Sequence, residues 1–365
     1  MNVVKIQEIA NQVRGVSYKP TDLHDSLNDS SVILLRANNI DDGKINFDDV
    51  VYVDKSKVSK EQYLKKGDIL VCVSSGSKQL VGKAASVDFD QECTFGAFCK
   101  VVRPQKKYAE YVGKYFQSNI YRSKISAVAL GANINNIRNE HIDLLELNVY
   151  TEDENRGVVQ VISCLQSIIE NRKQELQKLD ELIKARFVDM FGNIILNEKC
   201  WKTDKWSNVL KIVNGKNQKA VESDDGEYLI CGSGGAMGRA TEYLTDEDSV
   251  IIGRKGSINK PLLMREKYWN VDTAFGIEPN RKYINVDYLY MFCIFFNFEK
   301  LNKAVTIPSL TKADLLKIEM PIPDILLQEQ FADFVHQVDK SKVAVQQALT
   351  EAQLLFDSLM QKYFG

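Results

Sequence analysis

Basic, amide and hydroxyl side chains recur on turns rich in glycine, serine and asparagine. Arginine and lysine donate to guanine O6 and N7, and asparagine and glutamine pair with adenine N6 and N7. The turns therefore predict DNA contacts, although they do not separate residues that read bases from those that contact phosphates or only solvent. The predicted residues are Arg36, Asn38, Asn39, Ser77, Lys78, Gln79, Lys83, Asn133, Asn135, Lys216, Asn217, Arg239, Arg254, Lys255, Ser257 and Lys260.

No nucleotide-binding or catalytic motif is complete. The segment GSKQLVGKA has five residues between its glycines instead of four, and Ala84 stands where a phosphate loop needs Ser or Thr for magnesium. The run GSGGAMG lacks the βαβ frame of a dinucleotide site. The Asn-Pro-Pro-Tyr and Asp-Pro-Pro-Tyr segments of amino-methyltransferases do not occur, nor do HExxH or GxSxG. We therefore predict a chain without catalytic residues.

Cysteine and histidine usage argues against a metal site. Seven cysteines are scattered without a CxxC pair, and only three histidines occur. A zinc site needs clustered Cys and His ligands. We predict reduced thiols, no bound metal and no cofactor in this chain.

Composition predicts a soluble cytoplasmic protein of two to three domains. Its 365 residues are 44% hydrophobic and 26% charged, as in a globular protein. The longest aromatic and aliphatic run, 288–296, is far shorter than the roughly 20 residues of a membrane span. The first residues lack a basic region followed by an apolar stretch, so we expect no secretory signal and no membrane partner.

The charge balance is close to neutral, with 47 basic and 49 acidic residues. This balance alone argues against strong binding of nucleic acid. Because the basic residues concentrate on the glycine-rich turns, we expect weak, salt-sensitive DNA binding by the chain alone and stronger binding with a partner.

The sequence repeats itself at a constant offset of 173 residues in the second part of each half. Matching pairs are Ile137 with Leu310, Ile142 with Leu315, Leu147 with Met320, and Phe191-Gly192 with Phe364-Gly365. Upstream, Phe95-Gly96 pairs with Phe275-Gly276 at an offset of 180. The repeat predicts a mixed strand and helix domain at 1–150, a helix at 151–196, a second mixed domain at 197–323 and a helix at 324–365.

Apolar residues in both helical segments follow the 3.5-residue period of a coiled coil. Neither Pro nor Gly interrupts 158–191 or 326–364, so each helix is expected to be roughly 50 to 60 Å long. The helices can pair in parallel or antiparallel. The predicted coiled-coil seam contains Val158, Ile162, Leu165, Ile169, Leu176, Leu179, Ile183, Phe331, Val335, Val338, Val345, Leu349, Phe356 and Leu359.

Other side chains of these helices are candidates for contacts outside the seam. Arg172, Arg186 and Lys342 fall on the apolar stripe, where charges either fix register or extend to its edge. A two-helix rod also leaves an apolar flank exposed for docking partners. The candidates for this flank are Ile168, Leu182, Phe187, Leu326, Leu327, Phe334, Leu354 and Leu355.

The chain resembles the specificity (S) subunit of type I restriction-modification systems over nearly its full length. The segment IPSLTKADLLKIEMPIPDILLQEQ at 307–330, leading into a heptad helix, carries most of the resemblance. The repeat, FVDMFG and QKYFG at the helix ends, and GDILV at 67–71 add to it. In the first half NVYTEDENRG replaces the Pro-Ile-Pro and Leu-Gln-Glu-Gln elements.

The resemblance implies an α+β fold with two mixed α/β target-recognition domains and a pseudo-twofold internal repeat. Two long helices separate these domains and pair as an antiparallel coiled coil. It also implies a non-enzymatic subunit that recognises an asymmetric bipartite site in double-stranded DNA, one domain per half-site. The length of the helix pair would then set the spacing between the half-sites.

The implied partners are two methyltransferase subunits docked on the helices, and in some complexes two restriction subunits. S-adenosylmethionine, ATP and Mg would then be bound by those partners. Two rival interpretations stay open from the sequence. One is an orphan DNA-binding or scaffold protein of the same fold, and the other is an enzyme that acts on nucleic acid through an unrecognised site.

Overall fold

A computed structural model describes residues 2–41, 43–77, 79–131, 136–304 and 306–365. The chain forms two compact units. Unit 1 comprises Met1–Asn171 and Ala348–Gly365, and unit 2 comprises Arg172–Gln347. Each unit combines sheets with one half of each of two long helices.

Unit 1 contains twelve strands and four short helices among its described residues. The strands are β1 (Asn2–Lys5), β2 (Ala10–Arg14), β3 (Leu23–His24), β4 (Ser31–Leu35), β5 (Ile40–Asp41), β6 (Lys44–Ile45), β7 (Val51–Asp54), β8 (Ile69–Cys72), β9 (Ala84–Ser86), β10 (Cys93–Phe95), β11 (Cys99–Pro104) and β12 (Glu146–Val149). The helices are α1 (Ile6–Ile9), α2 (Ala109–Phe116), α3 (Asn119–Gly131) and α4 (Asn139–Asp143). Single 3-10 turns lie at Pro20–Asp22, Ala37–Asn39, Lys55–Lys57, Lys60–Gln62 and Lys106–Tyr108.

The larger sheets of unit 1 have the strand orders β2-β11-β8-β9 and β10-β4-β7-β3, and β1 pairs with β12. Strand β8 reads ILVC and is buried at every residue, as expected of a short apolar run that faces core on both sides. Its side chains alternate between two clusters. Val71 packs in the cluster with Tyr111 and Tyr115 of α2, and Leu70 packs in the cluster with Phe95.

The first long helix, α5 (Glu152–Phe191), begins in unit 1 and ends in unit 2. Thr151 precedes it, and the backbone N–H of Thr151 donates to the Glu154 carboxylate while the Glu154 N–H donates to Thr151 Oγ1. This is the reciprocal capping box of a helix N-terminus. Gly192 follows the helix with φ of 74°, a left-handed conformation that suits glycine after a helix end.

Unit 2 contains nine strands, three short helices and the start of the second long helix in its described part. The strands are β13 (Thr203–Lys205), β14 (Leu210–Asn214), β15 (Tyr228–Gly232), β16 (Gly235–Ala240), β17 (Ser249–Gly253), β18 (Leu262–Met264), β19 (Tyr268–Asn270), β20 (Ala274–Pro279) and β21 (Glu319–Pro321). The helices are α6 (Trp206–Val209), α7 (Val286–Phe295), α8 (Lys312–Leu315) and the long α9 (Ile325–Phe364), and a 3-10 turn lies at Phe298–Leu301.

The two units share one topology, which confirms the internal repeat. The order β14-β20-β17-β18 reproduces β2-β11-β8-β9, and the pair β13-β21 reproduces β1-β12. Strand β15 pairs antiparallel with β16 and parallel with β19, as β4 does with β7 and β10. The repeat therefore covers the strands as well as the helices.

One predicted match between the halves is wrong in register. The sequence pairs Phe95-Gly96 with Phe275-Gly276, but Phe95 ends the parallel strand β10 whereas Phe275 lies in β20. Pairing with the neighbouring strands aligns Pro104 with Pro279, and hence Lys100 with Phe275, at an offset of 175. The shared Phe-Gly letters are therefore a coincidence, because strand equivalence is fixed by the backbone ladder.

Helices α5 and α9 pair antiparallel, as the resemblance implied. In unit 2, Lys342 forms an ion pair with Asp180, and the rings of Phe331 and Phe187 lie 5.3 Å apart. Moving forward along α5 thus means moving backward along α9. In unit 1, the start of α5 and the end of α9 share one apolar cluster through Ile162 and Met360.

All fourteen predicted seam residues lie at least partly buried along these helices. Nine are buried, and Leu176, Leu179, Leu349, Phe356 and Leu359 are half-buried. Arg172 and Arg186 each form an ion pair with an acidic residue three positions further along α5. Lys342 alone of the three stripe charges pairs with an acidic residue of the other helix among the described contacts.

Candidate nucleic-acid interface

Several predicted turns of unit 2 meet at one edge of a sheet. Strands β14 and β17 both run antiparallel to β20, so both end where β20 begins. The turn after β15 lies beside them, since a Cβ built on Gly253 would be 3.0 Å from Ser233 Cβ. We call this surface edge 2, and it comprises residues 215–219, 233–237, 254–260 and 271–273.

The backbone of edge 2 is held by close contacts and hydrogen bonds. A Cβ on Gly215 would lie 1.8 Å from the Val271 carbonyl oxygen, so only glycine fits there. The N–H of Lys216 donates to Asn270 O at 3.0 Å, and the N–H of Arg254 donates to Thr273 O at 2.7 Å. The side chains of these turns therefore project from a fixed backbone.

Edge 2 is rich in exposed cations. Lys216, Lys255 and Lys260 are exposed, and no ion pair joins them to a carboxylate within the described residues. Arg254 is exposed and lies over the Phe275 ring, 5.7 Å from its centroid. Asp272 is an exposed acidic residue on the same surface. Such a cluster attracts polyanions and presents donors suited to guanine.

The other predicted residues of unit 2 differ in how freely they can reach a ligand. Ser257 is exposed on edge 2. The Asn217 side chain is exposed, but its Oδ1 accepts from the Lys219 N–H at 2.9 Å. Arg239 lies on β16, where it donates to the backbone oxygens of Gly226 and Glu227.

Unit 1 builds the same edge from equivalent backbone contacts. A Cβ on Gly15 would lie 2.2 Å from Gly96 O, matching the Gly215 contact. The N–H groups of Val73 and Ser74 donate to Phe98 O, as those of Arg254 and Lys255 donate to Thr273 O. We call this surface edge 1, and it comprises the described parts of 15–18, 73–82, 96–98 and 136–138.

The glycine turn of edge 1 is braced by a residue that the sequence reasoning missed. The Arg122 guanidinium donates to the backbone oxygens of Val81 and Gln79. Ser77 and Gln79 are exposed there, and Lys83 pairs with Asp41 at 3.5 Å. The predicted residues Lys78, Asn133 and Asn135 lie outside the described residues.

Arg36, Asn38 and Asn39 converge on one acceptor instead of projecting from the surface. Arg36 and Asn38 both bind the Asp49 carboxylate, at 3.0 and 2.9 Å. Asn39 is buried, and its side chain accepts from Arg36 N and donates to the backbone oxygens of Asn46 and Asp49. We therefore omit Asn39 from the DNA-contacting residues proposed below.

Buried thiols next to these edges are unsuited to chemistry. Burial raises the pKa of Cys231 to about 11 and that of Cys93 to about 12, and it also raises the pKa of Cys72. These thiols stay protonated near neutral pH, and a nucleophile or metal ligand needs the thiolate. Across the described ranges, no group of three or more His, Cys, Asp or Glu could hold a metal ion.

Residues missed by the sequence reasoning act mostly through position. Asp49 and Arg122 organise loops through contacts 13 to 43 residues away in sequence. Phe98 is an apolar side chain on a polar edge, and its exposure has no sequence signal. Only the alignment of the two halves by backbone pairing could have pointed to it, as the counterpart of Thr273. The helices in the described part of the chain include none with the length and apolarity to cross a membrane.

Comparisons with known proteins agree with this architecture. Residues 198–353 match the family of the type I restriction modification DNA specificity domain. The type I restriction enzyme EcoKI specificity subunit of Escherichia coli (strain K12) is 33% identical over 207 residues, covering 56% of this chain and 44% of that protein. The StySPI specificity subunit of Salmonella potsdam is 34% identical over 180 residues, covering 49% and 39%. The chain thus spans about two fifths of the length of these relatives.

Two solved structures share the fold over the whole chain. The S subunit of a type I restriction-modification system from M. genitalium has a TM-score of 0.61 at 17% identity, covering 100% of this chain and 96% of that chain. A structure on complex assembly and conformational transition of the type I R-M system has a TM-score of 0.60 at 14% identity, covering 100% and 97%. Through residues 198–353, the chain therefore belongs to the family of the type I restriction modification DNA specificity domain.

Proposed function

We propose that the chain is the DNA sequence-specificity subunit of a type I restriction-modification complex and is not itself an enzyme. Each of its two edges would read one half of a bipartite site in double-stranded DNA. Because the edges carry different side chains, the two half-sites would differ. The chain would act in the cytoplasm.

One observation carries this proposal: the same surface is built twice. Edge 2 lies within the segment that matches a DNA specificity domain family. Edge 1 repeats its glycine contact and its paired N–H donors, at Gly15 and Phe98 in place of Gly215 and Thr273. Two turn clusters of the same backbone and different side chains suit two different base sequences.

We further propose that methyltransferase subunits, two per chain, dock on helices α5 and α9, and that restriction subunits can join them. S-adenosylmethionine would then be held by the methyltransferase, and ATP with Mg by the restriction subunits. The support is that apolar side chains outside the seam are exposed on both helices, at Ile168, Leu182, Leu326, Leu354 and Leu355.

The predicted docking flank needs one correction. Phe187 is fully buried among Phe191, Tyr288 and Phe331 and cannot contact a partner. It extends the seam because it follows Ile183 by four residues, on the same helix face. Leu327 and Phe334 are half-buried against the same cluster.

The test of the function is to map methylated adenines in a host with and without this gene. We expect one bipartite motif to lose its methylation when the gene is deleted and to regain it when the gene is restored. A methylation pattern that is unchanged by deletion would contradict the proposal.

Edge 2 makes a specific prediction for DNA binding. Replacing Lys216, Arg254 and Lys255 with alanine should weaken specific binding at least tenfold, since a base contact contributes about 1–3 kcal/mol. Each lost phosphate contact should also lower the slope of log affinity against log salt by about 0.9. Fluorescence anisotropy of the chain with its methyltransferase, measured from low to high salt, checks both effects.

A matched control removes three exposed lysines from the opposite end of the same sheet. Lys202, Lys205 and Lys282 lie near the start of β14 and the end of β20. Their replacement with alanine changes the net charge equally and should leave specific affinity within about twofold, as expected for charges remote from the DNA. Equal losses in both triple variants would show that net charge alone, and not edge 2, determines binding.

A further inference from the structure

The two edges differ in chemistry at one equivalent turn. In edge 2 the turn before β20 carries Asp272 and Thr273, and in edge 1 the turn before β11 carries Ala97 and Phe98. The equivalence follows from the paired N–H donors that both Phe98 O and Thr273 O accept. Ala97 and Phe98 have no side-chain donor or acceptor, so this part of edge 1 cannot read a base by hydrogen bonding.

Phe98 is held outward by its surroundings. Its side chain is 70% exposed, whereas the next most exposed phenylalanine in the described part of the chain, Phe295, is 37% exposed. The Cys99 N–H donates to Gly96 O at 2.9 Å, and the Phe98 carbonyl accepts from Val73 and Ser74. The ring is therefore presented on a backbone fixed on both sides, with little order left to gain on binding.

The neighbours of Phe98 are polar. Ser74 is half-buried beside it, and Asn136 and Ser77 are exposed on the same edge. An isolated ring among polar groups does not form the contiguous apolar patch of a protein-binding surface. In the major groove, the one strongly apolar feature of the base edges is the thymine C5-methyl group, which phenylalanine contacts in protein–DNA complexes.

We infer that Phe98 is a specificity-determining residue of edge 1 that recognises thymine through its methyl group. This inference rests on the proposed function and deepens it. The half-site read by unit 1 then requires thymine at a fixed position, and the half-site read by unit 2 depends on hydrogen bonds from its cations.

The test starts from a site enriched from a random duplex library by the chain together with its methyltransferase. The half-site of unit 1 is the one that the triple edge 2 variant still distinguishes. Synthetic duplexes then carry deoxyuridine in place of each thymine of that half-site, which removes only the methyl group. We expect one position where this change weakens binding about fourfold for the unaltered protein, as for loss of one buried methyl group.

The variant Phe98→Ala should bind the thymine and uracil duplexes equally well, because the methyl contact is already lost. Leu196→Ala is the control, since Leu196 is 71% exposed but lies outside both edges. It should retain the fourfold preference for thymine. Circular dichroism should show unchanged folding for both variants, because neither side chain is buried.

The outcomes separate this inference from the proposed function. A site that is enriched but insensitive to uracil, or a half-site without thymine on either strand, overturns the role of Phe98 and leaves the function intact. An equal loss for Phe98→Ala on both duplexes means that the ring wedges between bases and does not read a methyl group, which also overturns the inference. Failure to enrich any duplex contradicts the proposed function itself.

Discussion

Exchanging residues 197–323 for the corresponding segment of a relative is expected to change one half of the methylated site and leave the other half unchanged. The segment contains all of edge 2 and none of edge 1, so only one set of base contacts changes. Sequencing of methylated adenines in a host that carries the chimera measures the result. Altered recognition of both half-sites would show that the two edges do not read DNA independently.

The core of unit 2 indicates a second chimera that should be more stable. Tyr288, inside the exchanged segment, packs against Phe187 and Phe191 of α5. Exchanging 172–347 keeps these aromatic partners together, because it moves the whole unit. Both chimeras should change the same half-site, and the larger exchange should unfold at the higher temperature.

Replacing Phe187 with alanine should destabilise unit 2 by about 3–5 kcal/mol, the range for a buried phenylalanine. Phe187 is fully buried and its ring contacts four others, including Phe331 of α9. Its removal leaves a cavity between the two long helices. All three tryptophans, Trp201, Trp206 and Trp269, lie in unit 2, so urea unfolding followed by tryptophan fluorescence reports on this unit alone.

A control on the same helix is Leu182→Ala. Leu182 is 47% exposed, so its truncation should change the free energy of unfolding by less than about 1 kcal/mol. A similar loss in both variants would mean that helix propensity, and not the aromatic cluster, dominates. A loss for Phe187→Ala as small as that for the control would show that the cluster repacks around the gap.

The sequence was sufficient to find the repeat only where the loops have equal length. Equivalent residues are 200 apart at Ile6 and Trp206, whose N–H groups donate to Leu145 and Ile318, but those acceptors are only 173 apart. The offset therefore falls by 27 residues from the first helix to the last strand. Loops tolerate such length changes at little cost in free energy, whereas paired strands keep their register. This explains why the constant offset starts only near residue 136 and why the Phe-Gly match is misleading.

The helices were predictable because their signal is long and local. Four heptads of apolar residues without Pro or Gly predict a helix, and α5 and α9 each span 40 residues. The direction of pairing depends on contacts such as Asp180 with Lys342, which are 162 residues apart and follow no sequence rule. The fold therefore needed the resemblance, while the helical content did not.

The turn residues were predictable as a class but not one by one. Glycine and exposed cations correctly indicated edge 2, where Gly215, Lys216 and Arg254 come together. The same reasoning included Asn39, whose amide is used within its own loop. Whether a polar side chain projects outward or closes a loop depends on a distant acceptor such as Asp49, and residue type alone carries no record of it.

The division of the chain into units also constrains how it folds during synthesis. Unit 2 is one continuous stretch, 172–347, and can complete its core while the ribosome is still adding residues. Unit 1 needs Met360 and Phe364, which pack among its Tyr111 and Val158 but are made after all of unit 2. The part of the protein translated first is thus the last to close, and its apolar cluster stays open to chaperones and proteases until the second long helix arrives.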